Sequence, residues 1–268
     1  MMKFISYLLI IFSLTALVTG CFASPPLDEI RPVSSGAATI TEAPTSLQMK
    51  ASETATTKAT STPENDVTTL KKETSYHIAN TPELAQLPEL PNGCEAVAAT
   101  MLLNWAGLWV TKQQVADALP KGEMPYVNDD GAFIGSNPEK VFVGDPYDAG
   151  YGIYHAPMAE TLNQLLPERI VDMSGSTFEQ LLKTIQSGTP VMVWATEQMD
   201  APFLELEWQD EEDQLVEWYQ PEHALLLTGW DDAYAYMNDP MTGKEEAYDI
   251  AEFRSVWESM GSQAITVK

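Results

Sequence analysis

From residue 75 onward the apolar positions follow first a helical rhythm and then an alternating one. Val97, Met101, Leu102 and Trp105 recur at helical spacing after the turn residues Pro91-Asn92-Gly93, which predicts a helix opening at Cys94 and stopping at Gly107. A second helix is expected from Thr111, where Thr111 and Gln114 have capping-box spacing, through Val115, Ala118 and Leu119 to Pro120. Pro157 suits the first turn of a third, which ends before Pro167. Ser176 and Glu179 offer a capping box for a fourth over 178–186, closed by Gly188. Then short apolar or alternating runs bounded by turn residues predict strands at 190–196, 224–230, 233–237 and 263–267, interrupted by one helix at about 250–260. Helices come mainly first and strands mainly last, which predicts an α+β domain. Residues 121–156, rich in Gly, Pro, Asn and Asp, read as a long ordered loop, a kind of segment that is often functional.

The first residues follow a different plan. Lys3 precedes an uncharged run from Phe4 to Gly20, the pattern of an export signal, and at 17 residues the run falls short of the about 20 needed to span a bilayer. It ends Val18-Thr19-Gly20-Cys21, which resembles the lipobox of bacterial lipoproteins, where the signal is cut before the cysteine and Cys21 would be acylated. The competing reading is that Cys21 is simply part of a cleaved or retained signal. Residues 22–74 are rich in Ser, Thr, Ala and Pro and have no aromatic residue after Phe22, so they cannot bury enough apolar surface to offset ordering entropy. The expected organisation is therefore a signal at 1–21, a tether at 22–74 and one domain at 75–268. That places the domain outside the cytoplasm, held to the cell membrane by a lipid.

Charge follows the same division. The domain carries 8 Lys/Arg against 32 Asp/Glu, almost the whole net charge of −25. Such a surface repels phosphate backbones, which argues against a nucleic-acid partner. The densest acidic stretch, 205–217, contains no Gly for the sharp turn of a Ca²⁺ loop and reads as a solvated loop or hairpin. No phosphate-binding Gly loop or paired-Cys metal motif occurs, and no cofactor is expected.

With Cys21 assigned to acylation, Cys94 has no disulfide partner, so it is either a buried inert thiol or one kept for its chemistry. A helix start favours the thiolate, and so does a neighbouring imidazole. The candidate bases are His77, near the tether; His155, before a helix; and His223, at the head of the strand ALLLTGW, where a ladder can hold the backbone. A base needs an orienting partner. If the strands after His223 form a hairpin, either Asn238 or Asp239 returns beside it, and pleating lets only one of them face the ring. Gln86 and the Cys94 N–H are candidate donors to an oxyanion.

The segment QLPELPNGCEAVAATMLLNWAG resembles the active-site region of the C39-like peptidases, a branch of the papain-like cysteine peptidases. The blocks NPEKVFVGDPYDAGYGIYHAP, SGTPVMVWAT, EHALLLTGWDD and MNDPMTGKEEAYDIAEFRSVWESMGSQAI are similar too, so the resemblance covers about residues 80–268. It implies a papain-like fold with N-terminal helices packed on an antiparallel sheet. It also implies a cysteine peptidase with Cys94 as nucleophile, His223 as base, Asp239 as orienting acid and Gln86 as oxyanion donor, acting on a peptide or protein substrate. The 8-residue separation of Gln86 from Cys94 is longer than in transporter-associated C39 peptidases, and their Asp-Cys-Gly signature is missing. Two alternatives stay open: a surface binding module without activity, and a Cys-His amidase or acyltransferase of cell-wall peptides.

Overall fold

The computed structural model describes residues 75–268. The expected signal at 1–21, Cys21 and the tether at 22–74 lie outside the described residues.

The domain opens with β1 (Tyr76–His77), a strap along 78–93, and the helices α1 (Cys94–Trp105) and α2 (Lys112–Ala118). Thr111 caps α2 with the expected reciprocal Gln114 bond. The 121–156 region is threaded by short strands: β2 (Lys121–Gly122), β3 (Tyr126–Val127), β4 (Phe133–Ile134), β5 (Phe142–Gly144) and β6 (Gly150–Gly152). Next come α3 (His155–Leu165), β7 (Ile170–Asp172), α4 (Phe178–Gln186) and β8 (Val191–Thr196). A 3-10 turn (Glu197–Met199) leads into the hairpin of β9 (Phe203–Gln209) and β10 (Leu215–Gln220). The chain finishes with β11 (Glu222–Trp230), β12 (Tyr234–Asp239), β13 (Lys244–Asp249), α5 (Ile250–Ser259) and β14 (Ala264–Val267).

One antiparallel sheet in the order β13-β12-β11-β8-β14-β7, with β1 also on β11, separates two apolar layers. Alternation along the central strands decides what each layer contains. Met192, Trp194, Ala224 and Leu226 face α1, α2 and α3, whereas Val193, Ala195, Leu225 and Leu227 face α4 and α5. This is an α+β domain with N-terminal helices on an antiparallel sheet, as expected. Every residue of α1 from Cys94 to Leu103 is buried, so the helix holds Cys94 on a rigid support rather than on a solvated stripe.

One local expectation is corrected. Thr177 with Gln180, one residue later than Ser176 with Glu179, forms the capping box of α4, because the Ser176 hydroxyl is spent on the Met173 carbonyl. Helix α3 begins at His155, which puts Pro157 in its first turn as expected. The acidic 205–217 stretch lies within a β-hairpin whose inner face, Leu206, Trp208, Val216 and Trp218, packs on Tyr151 and Tyr154, while the carboxylates fill the outer face. Asp210 is the exception. Buried at the turn, it accepts hydrogen bonds from the backbone of Glu212 and Gln214, from Asn137 and from Lys140.

Candidate active site

Cys94 is the first residue of α1, and Gly93 before it lies so close to Leu90 that a β-carbon would come 2.7 Å from that side chain. The helix start leaves N–H groups without intrahelical partners. The strap that leads in is tied to the far end of the sheet: the Gln86 N–H donates to the Pro240 carbonyl, and Asn238 Nδ2 donates to the Pro82 carbonyl and Thr81 Oγ1. Asn238 thus holds the strap and does not meet the imidazole.

Asp239 does. His223 Nε2 lies 2.7 Å from Asp239 Oδ1, with both side chains buried. Register explains the choice between neighbours: Asn238 pairs with Leu226, so Asp239 shares the face of Leu225 and His223. Its oxygens also accept from the Tyr248 hydroxyl and the Met241 N–H, each at 2.7 Å. Burial, the largest influence, raises the Asp239 pKa, but the hydrogen bond and charge of His223 together with these donors hold it below the usual range.

The thiol's surroundings were not legible in the sequence. Cys94 Sγ donates to Glu95 Oε2 at 3.3 Å, and among the described residues no hydrogen bond joins Cys94 to His223. The sulfur, one oxygen of Glu95 and one of Glu222 lie within 4.8 Å of each other, all buried. These are the three side chains whose donor atoms are near enough to share a metal ion, among the described residues. Burial, then the charges of Glu95 and Glu222, push the thiol well above its ordinary range, opposed by the Ala224 N–H. Glu95 is pushed up to about 7 by burial, against its own N–H, the Ile153 N–H, the thiol and the charge of His223. Gly152 permits the Ile153 bond: at φ +151° it runs so close to Glu95 Oε1 that a side chain there would collide with the carboxyl. Both glutamates flank the catalytic candidates directly in sequence, in Gly-Cys-Glu and Glu-His-Ala. Their adjacency to Cys94 and His223 was the only signal, since nothing in a pattern tells a buried acid from a solvated one.

Glu95→Gln should therefore bring the Cys94 pKa down and speed its alkylation by iodoacetamide near neutral pH by at least about tenfold, because a carboxylate charge beside the sulfur is removed. An unchanged rate–pH profile would show that the carboxylate does not govern the thiol.

The remaining candidates are placed as follows. Gln86 is buried; its Nε2 donates to the Pro91 carbonyl at 2.9 Å and its Oε1 has no partner. His155 Nδ1 lies 2.7 Å from Asp172 Oδ2, beside a cavity of about 350 Å³ that Tyr154, Glu217 and Tyr219 also line. His77 pairs with Glu245 at the surface.

The Peptidase_C39 like family model matches residues 78–265. The chain belongs to this family. Among its relatives, the uncharacterised protein YvpB of Bacillus subtilis strain 168 is 30% identical over 182 residues, covering 68% of this chain and 71% of YvpB. A crystal structure from Bacillus anthracis, described provisionally as a C39-like peptidase, superposes with a TM-score of 0.66 at 32% identity, covering 73% of this chain and 98% of that one. The C39-like match thus runs from the strap to β14, the same span that carries Gln86, Cys94, His223 and Asp239.

Proposed function

We propose that this C39-like domain hydrolyses amide bonds in peptides or proteins through a thioester on Cys94. The observation that carries the reading is the buried His223–Asp239 hydrogen bond at 2.7 Å, on β11, the strand against which α1 with Cys94 at its head packs. In the attack step the thiol leaves Glu95 and gives its proton to His223, the sulfur bonds to the carbonyl carbon, and the carbonyl electron pair moves onto oxygen. The tetrahedral species collapses with loss of the amine, which takes the proton back from His223. Water, deprotonated by His223, then cleaves the thioester, and the proton returns to sulfur. Asp239 orients the ring and stabilises the imidazolium. By resemblance, the Cys94 N–H and Gln86 are oxyanion donors.

A mixture of peptides incubated with the full chain should acquire new termini that disappear with Cys94→Ser and after treatment with iodoacetamide. A second reading, a surface binding module that keeps the fold, draws on the resting thiol, which is buried, protonated and flanked by two carboxyls. A thiol that reacts like an unactivated buried cysteine, with no cleaved peptides, would favour it. Rapid acylation of Cys94 without new termini would favour the amidase or acyltransferase alternative.

We also propose that Cys21 is the acylated residue of a surface lipoprotein, from the Val-Thr-Gly-Cys pattern. Equal incorporation of a labelled fatty acid by Cys21→Ala would contradict it.

A further inference from the structure

An acyl-transfer site must offer hydrogen-bond donors where the carbonyl oxygen gains negative charge. The Cys94 N–H, at the open end of α1, is one such group. Gln86 has already committed one amide hydrogen to the Pro91 carbonyl. Beside the sulfur stand two buried carboxyls, Glu95 and Glu222. In a desolvated site two neighbouring carboxyls do not both ionise, so one retains a proton.

Their partners decide which. Glu95 receives its own backbone N–H, the Ile153 N–H and the thiol S–H, all of which favour the anion. Glu222 receives none of these; it faces the charges of Glu95 and Glu197, and its Oε1 is buried with no partner. The proton therefore belongs on Glu222, and a buried acid without an acceptor is a donor awaiting one. One Glu222 oxygen lies within 4.8 Å of the sulfur, and a carboxyl so near an attacking sulfur can reach the oxygen of the carbon under attack.

We propose that Glu222, as the neutral acid, is a catalytic hydrogen-bond donor to the oxyanion formed when Cys94 attacks a carbonyl carbon. The O–H bond stays intact; the hydrogen bond strengthens as the charge develops and relaxes when the intermediate collapses. The titratable groups around it are Cys94 and Glu95 from α1, His223 next to it on the same strand, Tyr154 before α3 and Glu197 from the 3-10 turn. Burial, then the charges of Glu95 and Glu197, raise the Glu222 pKa well above the usual carboxylate range, which favours the neutral acid.

This role rests on Cys94 being the nucleophile, and two reagents separate the claims. Acylation by p-nitrophenyl acetate passes through an oxyanion, whereas alkylation by iodoacetamide does not, so the ratio of the two rates reads the donor after changes in thiol ionisation cancel. Both rates are followed at Cys94 by peptide mapping of the full chain. Glu222→Ala should lower the ratio by about 10²-fold, the cost of one oxyanion donor. Glu222→Gln, which replaces O–H with N–H, should stay within about tenfold of the wild type. An unchanged ratio in Glu222→Ala, or a Glu222→Gln as impaired as the alanine variant with native circular dichroism, would overturn the assignment. Failure of both reagents to modify wild-type Cys94 would overturn the nucleophile reading and this donor with it.

Discussion

His223→Ala is expected to slow acylation of Cys94 by about 10³-fold or more, because the site then lacks the imidazole that takes the thiol proton and returns it to the leaving group. Alkylation near neutral pH should fall less, since that reaction needs only the thiolate. The same change leaves Asp239 buried without its imidazole, and removing one partner of a buried pair costs about 3–5 kcal/mol. The pH dependence of that loss has a defined sign. The folded-state pKa of Asp239 lies below its usual range, so its contribution is fully present above the unfolded value of about 3.9 and disappears as pH falls through the folded value. Urea denaturation should show a stability gap between wild type and His223→Ala that is wide at pH 7 and narrower near pH 3. A gap independent of pH would mean that the Asp239 carboxylate does not depend on the imidazole.

Asp239→Ala should also be severe, and more so than Asn238→Ala. The alanine removes the ring's orienting partner and strands the Tyr248 hydroxyl and the Met241 N–H, both of which donate to the carboxylate. In serine hydrolases loss of the corresponding carboxylate costs about 10⁴ in turnover through the wrong tautomer; a thiolate–imidazolium pair depends on it less, and a loss of about 10²-fold is expected. Asn238→Ala detaches the strap at Pro82 and Thr81, costing about 1–2 kcal/mol of stability and leaving the ring in place. Acylation rates of the two folded variants check the order. Greater damage from Asn238→Ala would contradict the observed register.

Which parts of this arrangement were legible beforehand follows from how each is encoded. The helices with a capping box or a glycine stop, α1, α2 and α4, could be read because caps and apolar spacing act locally, although the α4 box was displaced by one residue where the Ser176 hydroxyl found a different acceptor. The strand of His223 and its hairpin return to residues 238–239 could also be read, since alternation and turn residues are local. The choice between Asn238 and Asp239 depended on register, which the residues alone left open; the resemblance pointed to Asp239, and the pairing of Leu226 with Asn238 supplies the physical reason. The β9–β10 hairpin was ambiguous because its acidic outer face dominates the composition while Leu206, Trp208, Val216 and Trp218 alternate beneath it. Glu95 and Glu222 were illegible as site residues: their burial beside Cys94 results from α1 packing on β11, a long-range contact that neither segment announces by itself.

The most direct test of the central claim is mass-spectrometric mapping of the full chain quenched during reaction with p-nitrophenyl acetate. The account expects one acetyl group on Cys94 that accumulates and then turns over in the wild type, accumulates far more slowly in His223→Ala, and is missing in Cys94→Ser. Acetylation confined to other residues, or a Cys94 adduct that forms equally fast without His223, would contradict it.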